Sequence, residues 1–438
     1  ETVNSAQTMK SGLVKGRLWV DDVHQLTVSG SRYRNDFENG AGVPRDTRVT
    51  ADTVTAGYRF TPESDLWDLT AKTYYTGTLF EQMPRGASSG SPERSFNVGT
   101  VGFDLFNTSR FSTGVLDHEL TYGGDIFRDR VTTWDRVGSG GDLTPSGRRV
   151  AYGAFVQNRV RYDSWLEVIG ALRYDGYQLK GDTIQIDGQR LSPKLTVGVT
   201  PWEQVTFYGT YAEGYRAPAL TETLIDGLHP PPVLGRFLPN PALRPEVART
   251  IEAGVNLRFN DVATGGDALF VKLGAFQNNV DDYIDNVFIP FPLPGGYQYQ
   301  NISKARIRGI ELEATYDAGF MFAGVSGQML KGENLTDGGP LQKVPPYRLV
   351  TTAGVRLFEE SLTLGARLTV VGAKRNDTVT GFIGRSYELV DLFAEYKIND
   401  RATANLALNN VFDRDYTQYL NADPSPGFNA RASLTVRF

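Results

Sequence analysis

The chain has 438 residues, a net charge of -5, no cysteine and three histidines. That composition excludes disulfides, thiolate chemistry and a multi-histidine metal centre, and it offers no basic field for nucleic acid. With 47 glycines, 21 tyrosines and 24 phenylalanines against four methionines it favours strands and turns, and no run approaches the roughly 18 apolar residues of a membrane-spanning helix.

In chain order the sequence reads as period-2 stretches joined alternately by tight polar turns and by longer polar loops. Short turns are predicted at Asp21-Asp22, Thr61-Pro62-Glu63-Ser64 and Asn107-Thr108-Ser109, with longer loops at 38–47, 82–93 and 135–147 between them. A strand follows over 150–162, where Val150, Tyr152, Ala154, Val156, Val160 and Tyr162 share one face and Gln157, Arg159 and Arg161 the other. After a turn at Asp163-Ser164, Leu166, Val168, Leu172 and Tyr174 repeat the pattern against Glu167, Arg173 and Asp175. A turn at Pro201–Gln204 leads to a strand over 205–215 and then to the longest connection, 218–247, with seven prolines. Further loops are predicted at 281–296 and 333–346, and further turns at Glu359-Glu360 and Asn399-Asp400. Ile310, Leu312, Ala314 and Tyr316 oppose Glu311, Glu313 and Thr315, and Leu362 to Val370 alternate in the same way.

Short turns on one rim and long loops on the other predict an all-β fold, a transmembrane antiparallel β-barrel of about nineteen strands. Aromatic residues near strand ends (Tyr74, Tyr75, Tyr208, Tyr211, Tyr215, Tyr297, Tyr299) are expected to form an interfacial girdle. At the C-terminus Phe428, Ala430, Ala432, Leu434, Val436 and Phe438 alternate with polar residues. This stretch resembles the terminal strand of bacterial outer-membrane proteins.

The 218–247 connection exceeds the length at which a loop is ordinarily structureless and idle. Its prolines, with a triplet at Pro230–Pro232, predict a stiff loop. His229 sits beside that triplet, and an imidazole on such a loop suits the iron of a flat hydrophobic ligand. The stretch Glu213-Gly214-Tyr215-Arg216-Ala217-Pro218, followed by Thr221-Glu222-Thr223-Leu224 and then Pro239-Asn240-Pro241-Ala242-Leu243-Arg244-Pro245-Glu246, resembles the paired "FRAP" and "NPNL" motifs of TonB-dependent haem receptors. Tyr215 stands for the usual Phe and Ala242 for Asn or Asp. The resemblance implies the 22-stranded barrel type, a place in the bacterial outer membrane, and His229 as an axial ligand to haem iron. It gives Tyr215, Arg216, Ala217, Pro218, Asn240, Pro241 and Leu243 the role of organising the loop. Arg236 and Arg244 become candidates for haem propionates or a partner protein. Haem would be the transported substrate and no permanent cofactor is expected. Partners would be TonB, acting through a plug, and a haemophore or haemoglobin as haem source, with outer-membrane lipid around the barrel. Nothing N-terminal to residue 11 reads as a plug or a TonB-binding box, so 1–438 is expected to be the C-terminal part of the barrel, with the plug absent.

Other readings compete. A ferric-siderophore or cobalamin receptor shares the architecture; a barrel enzyme and a passive porin lie further off. Three histidines spread over some 200 residues make a catalytic triad a poor reading, so no enzyme is expected. His24 and His118, near short turns, read as structural. Asp281, Asp282, Asp285 and Asn286 lack the spacing of a calcium loop. Gly138–Gly141 lacks the strand and helix context of a phosphate cradle.

Overall fold

The computed structural model describes residues 6–39, 44–85, 93–135, 146–182, 184–228, 236–290, 296–341, 343–374, 384–421 and 424–437. Among them lie twenty-one strands and one short helix, Leu220–Leu224. Two strands, Gly227–Leu228 and Arg236–Leu238, are fragments within the longest connection. The other nineteen form one antiparallel meander from Gln7–Trp19 to Asn429–Val436. Each pairs with the next in sequence, and Val205–Arg216 pairs directly with Glu246–Asn260 across the inserted connection. Among the described residues no ladder joins the first strand to the last, so the wall has two open edges. Every residue of Gln7–Trp19 is exposed.

The alternation predicted from the sequence sets the two faces. Val28, Val54, Val101, Phe103, Ile126, Tyr152, Leu172, Tyr174 and Leu191 are exposed on the outer face. The inner face holds ion pairs: Arg149 with Asp129 at 2.7 Å, and Arg173 with Asp125 and Asp175, each at 2.8 Å. An apolar exterior over a charged interior is stable when lipid surrounds the wall. No helix of the described residues is long and apolar enough to cross a membrane.

Three local expectations are corrected. Asn107-Thr108-Ser109 is no turn; it lies inside the strand Arg94–Thr113. There Asn107 donates to the Leu66 carbonyl and to Tyr122 Oη, and Ser109 donates to the same carbonyl. Its polarity serves tertiary partners. Residues 281–289 are no loop, because Ala268–Ile289 and Gly296–Asp317 continue as a paired ladder of 22 residues each. About 9–11 residues cross a membrane as a tilted strand, so this hairpin rises well beyond it. The girdle also loses members. Tyr208 donates to Glu252 Oε1 at 2.7 Å on the inner face, and Tyr215 packs against Tyr177. Exposed Tyr122, Tyr152, Trp165 and Trp202 stand on the outer face.

The buried apolar residues gather at the long-loop rim. One cluster joins Tyr177, Leu179, Leu220 and Leu224; another joins Val280, Ala305, Leu341 and Val344. Both lie where connections fold over the wall.

Candidate functional site

The connection after Val205–Arg216 folds back on its own base. Arg216 donates from Nε to Glu246 Oε2 and from Nη1 to both Glu222 oxygens, at 3.1 and 2.9 Å. One guanidinium thus ties the outgoing strand, the short helix and the returning strand. The bond to Glu246, seconded by Glu222, raises the already high pKa of Arg216 against the opposing effect of burial. Glu222 Oε2 also accepts from the Ala219 N–H at 2.8 Å, satisfying a donor at the helix start. Glu246 Oε1 accepts from the Ile284 N–H, which joins the tall hairpin to the same knot. Burial, with Asp285 and Glu246 nearby, pushes the Tyr283 hydroxyl up to about 12.

The helix itself is seated by glycine. A Cβ on Gly147 would meet Leu220 Cδ2 at 2.8 Å, and one on Gly181 would meet Leu224 Cδ1 at 2.7 Å. Glycine at both positions leaves the two leucines room to lie against the wall, and at Gly147 a Cβ would also meet the Lys180 carbonyl at 2.9 Å. Pro218 is fully buried, and Ala217 and Tyr215 pack on the cluster below the helix.

The second motif closes the loop. The Asn240 N–H donates to the Thr223 carbonyl at 2.9 Å, and its side chain donates to the Tyr299 carbonyl at 2.8 Å. Asn240 Oδ1 accepts from the Ala242 N–H across exposed Pro241, and Leu243 is buried. The Arg244 backbone exchanges two hydrogen bonds of 2.9 Å with the Asn301 side chain. The motif residues are therefore brought together at the loop base, where they hold it.

Arg244 pairs with Asp282, and Arg236 lies 3.3 Å from Asp226 with both side chains half exposed. His229 lies outside the described residues. The chain reaches it directly after the strand Gly227–Leu228, whose partner is Arg236–Leu238. Arg236–Leu238 runs parallel to the tall hairpin, Phe237 opposite Tyr297. There Phe237, Tyr297 and Phe288 form an aromatic row with centroids 5.8 and 5.4 Å apart, and Phe288 is half exposed. Sequence reasoning missed Phe288, which it placed in a loop; in the structure it lies opposite Tyr297 across the hairpin.

The remaining candidates find other partners. His24 Nδ1 lies 2.7 Å from Tyr58 Oη, and His118 lies between Thr113 and Asn158 and stacks on Phe111. Asp281 pairs with Arg249, Asp282 with Arg244 and Asp285 with Lys343, so these carboxylates face cations on neighbouring segments. Gly138–Gly141 lies outside the described residues. Inside the wall a recess of about 410 Å³ is lined by Glu252, Glu311 and Glu313 with Lys272 and Arg348. Its carboxylates repel an anionic ligand.

The chain matches the family model "TonB dependent receptor-like, beta-barrel" over residues 7–411. It is 27% identical over 457 aligned residues to a hemin receptor of Yersinia enterocolitica, covering 94% of this chain and 63% of that protein. It is 28% identical to heme/hemopexin utilization protein C of Haemophilus influenzae (strain 86-028NP), covering 91% of this chain and 58% of that one. The chain thus spans about three fifths of the length of these relatives. Among solved structures, the Serratia marcescens hemophore receptor HasR, in complex with its hemophore HasA and heme, superposes with a TM-score of 0.85 at 27% identity. That match covers 98% of this chain and 71% of HasR.

Proposed function

Because the chain belongs to the family of TonB-dependent-receptor-like β-barrels, we propose that it forms the wall and external mouth of an outer-membrane transporter that takes in haem. One observation carries the reading: the two motifs flanking His229 are locked into a single base by Arg216, Glu222, Glu246 and Asn240. A base so fixed lowers the entropy lost when the loop closes on a ligand. The relatives named for hemin, heme and hemopexin, and the heme-bound HasR, support the same cargo.

In this reading His229 supplies one axial bond to haem iron, neutral imidazole nitrogen being a suitable ligand. Phe237, Tyr297 and Phe288 offer an aromatic wall for the porphyrin face. Arg236, held loosely by Asp226, is free to turn toward a propionate. Arg244 is already engaged by Asp282 and Asn301, so its role is to hold the loop. Haem leaves unchanged; no bond within it is made or broken. A haemophore or haemoglobin is the proposed source, and the lumen is taken to be closed by a plug whose movement TonB drives.

The test is growth. The full-length protein, expressed in an iron-starved Gram-negative host lacking its own haem transporters, is expected to restore growth on haemin and to require TonB. Rescue by a ferric siderophore or uptake of cobalamin, without rescue by haemin, would overturn the cargo.

A further inference from the structure

Four cations stand together on the outer face of the wall, at the long-loop edge of the apolar band. Arg128, Arg130, Arg148 and Lys180 are all exposed. They belong to three successive strands, Leu116–Asp135, Gly147–Tyr162 and Leu166–Lys180. Arg130 lies directly opposite Arg148, and Arg148 directly opposite Lys180. Side chains so placed have Cβ atoms about 4.5–5.5 Å apart, and like charges there repel. Among the described residues none of the four is in a salt bridge. Asp187, the acid nearest in register on this face, lies opposite Gln178, one row nearer the apolar band. Elsewhere on the same rim several arginines are matched by acids. Arg32 lies 3.5 Å from Asp52, Arg34 and Arg48 each lie 2.7 Å from Asp36, and Arg249 pairs with Asp281.

The surroundings fit a lipid. Below the cations, on the same face, come Ile126, Tyr152, Tyr174 and Leu191, all exposed and apolar or aromatic. Beside them the row continues through Gly99, opposite Arg130, and Gly77, opposite Gly99. Tyr75 lies over these glycines; its Oη would sit 2.6 Å from a Cβ on Gly77. The strip is therefore shallow next to the charges.

We propose that this row binds the phosphate groups of an anionic outer-leaflet lipid, whose acyl chains lie along the apolar rows beneath. The repulsion among Arg130, Arg148 and Lys180 is then relieved by the ligand. Guanidinium groups grip phosphate oxygens bidentately, and cations at a membrane surface favour anionic headgroups. The inference rests on the barrel lying in a membrane and is independent of the haem reading.

The probe is lipid A. The full-length protein in neutral detergent is offered lipid A, dephosphorylated lipid A or phosphatidylethanolamine, and retained lipid is counted by native mass spectrometry. Wild type is expected to retain lipid A over both others, and millimolar inorganic phosphate is expected not to displace it. The combined variant Arg130→Gln, Arg148→Gln, Lys180→Gln is expected to lose at least about tenfold in retention. Arg32→Gln, at a matched rim cation, is expected to leave retention unchanged. Equal retention by the triple variant, in a preparation that still migrates as a heat-modifiable barrel, overturns the proposal. So does displacement by inorganic phosphate. Should the triple variant fail to fold, wild type alone decides: equal retention of phosphorylated and dephosphorylated lipid A sinks the idea.

Discussion

The two rims of the wall are built on different principles. At the short-turn rim the turns are closed by their own residues, even where a side chain such as Asn107 reaches a neighbouring turn from 41 residues away. Asp21 accepts from the N–H groups of Val23 and His24, and Asp267 from those of Val262, Ala263 and Thr264. At the long-loop rim the partners lie far apart in the chain. Arg216 reaches Glu246 across 30 residues, and the contacts of Asn240 with Tyr299 and of Arg244 with Asn301 span 59 and 57. Local turns need only their own few residues and fix the register of each hairpin. A rim tied by distant pairs holds one arrangement only while several segments agree, and binding loops are drawn from such regions.

The contrast can be broken by removing single ties. Arg216→Ala is expected to have the largest effect, because it leaves Glu222 and Glu246 facing each other without their shared cation. The loop base should open by about 2 kcal/mol, a figure kept low because the guanidinium is half exposed. Hydrogen exchange at the amides of 219–224 should then quicken by about thirtyfold at that value. Unchanged exchange would mean that the base is held without it.

Asn301→Ala comes next. It removes two bonds to the Arg244 backbone and one to the Asp282 carbonyl, all at 2.7 to 2.9 Å. About 1 kcal/mol of local stability should go. Haem affinity should fall by a few fold while the strands keep their pairing. Loss of the barrel fold would contradict a purely rim-level role.

Asp267→Asn tests the other rim and should leave haem capture untouched. Burial alone would raise the pKa of Asp267, but the backbone N–H donors and the Tyr316 hydroxyl outweigh it and hold the carboxyl below the usual range. A depressed folded pKa means that the stabilisation is complete above the ordinary carboxylate pKa and is lost as pH falls through the lower folded value. The wild-type turn should therefore keep its protease resistance at pH 4 to 5, in the ordinary carboxylate range. The amide variant, with an N–H group facing N–H donors, should be weaker at neutral pH and insensitive to this titration. A variant with wild-type resistance throughout would remove the carboxylate from the account.

This contrast also explains what the sequence disclosed. The hairpin rhythm, about nineteen strands and the turn at Asp21-Asp22 depend on alternation and on neighbours, which one chain displays directly. Asn107 and Ser109 were misread because their partner, the Leu66 carbonyl, lies 41 and 43 residues away. Tyr208 and Tyr215 look like girdle residues by spacing, yet Glu252 and Tyr177 draw them elsewhere. At the mouth, Tyr215–Pro218 and Asn240–Leu243 could be picked out by resemblance. Glu222 and Glu246 lie within the same resembling stretches, but the ties of Glu246, Asp282, Tyr299 and Asn301 could not be read, because no local pattern announces a partner 30 to 59 residues away.

The central claim is that the far-tied rim holds a loop whose imidazole meets haem iron. It is tested most directly by titrating haemin into full-length wild type and into His229→Ala and following the Soret band. The account predicts a shifted, saturable band for wild type and a weaker, differently placed band for the variant. Matching spectra and matching affinities would contradict it.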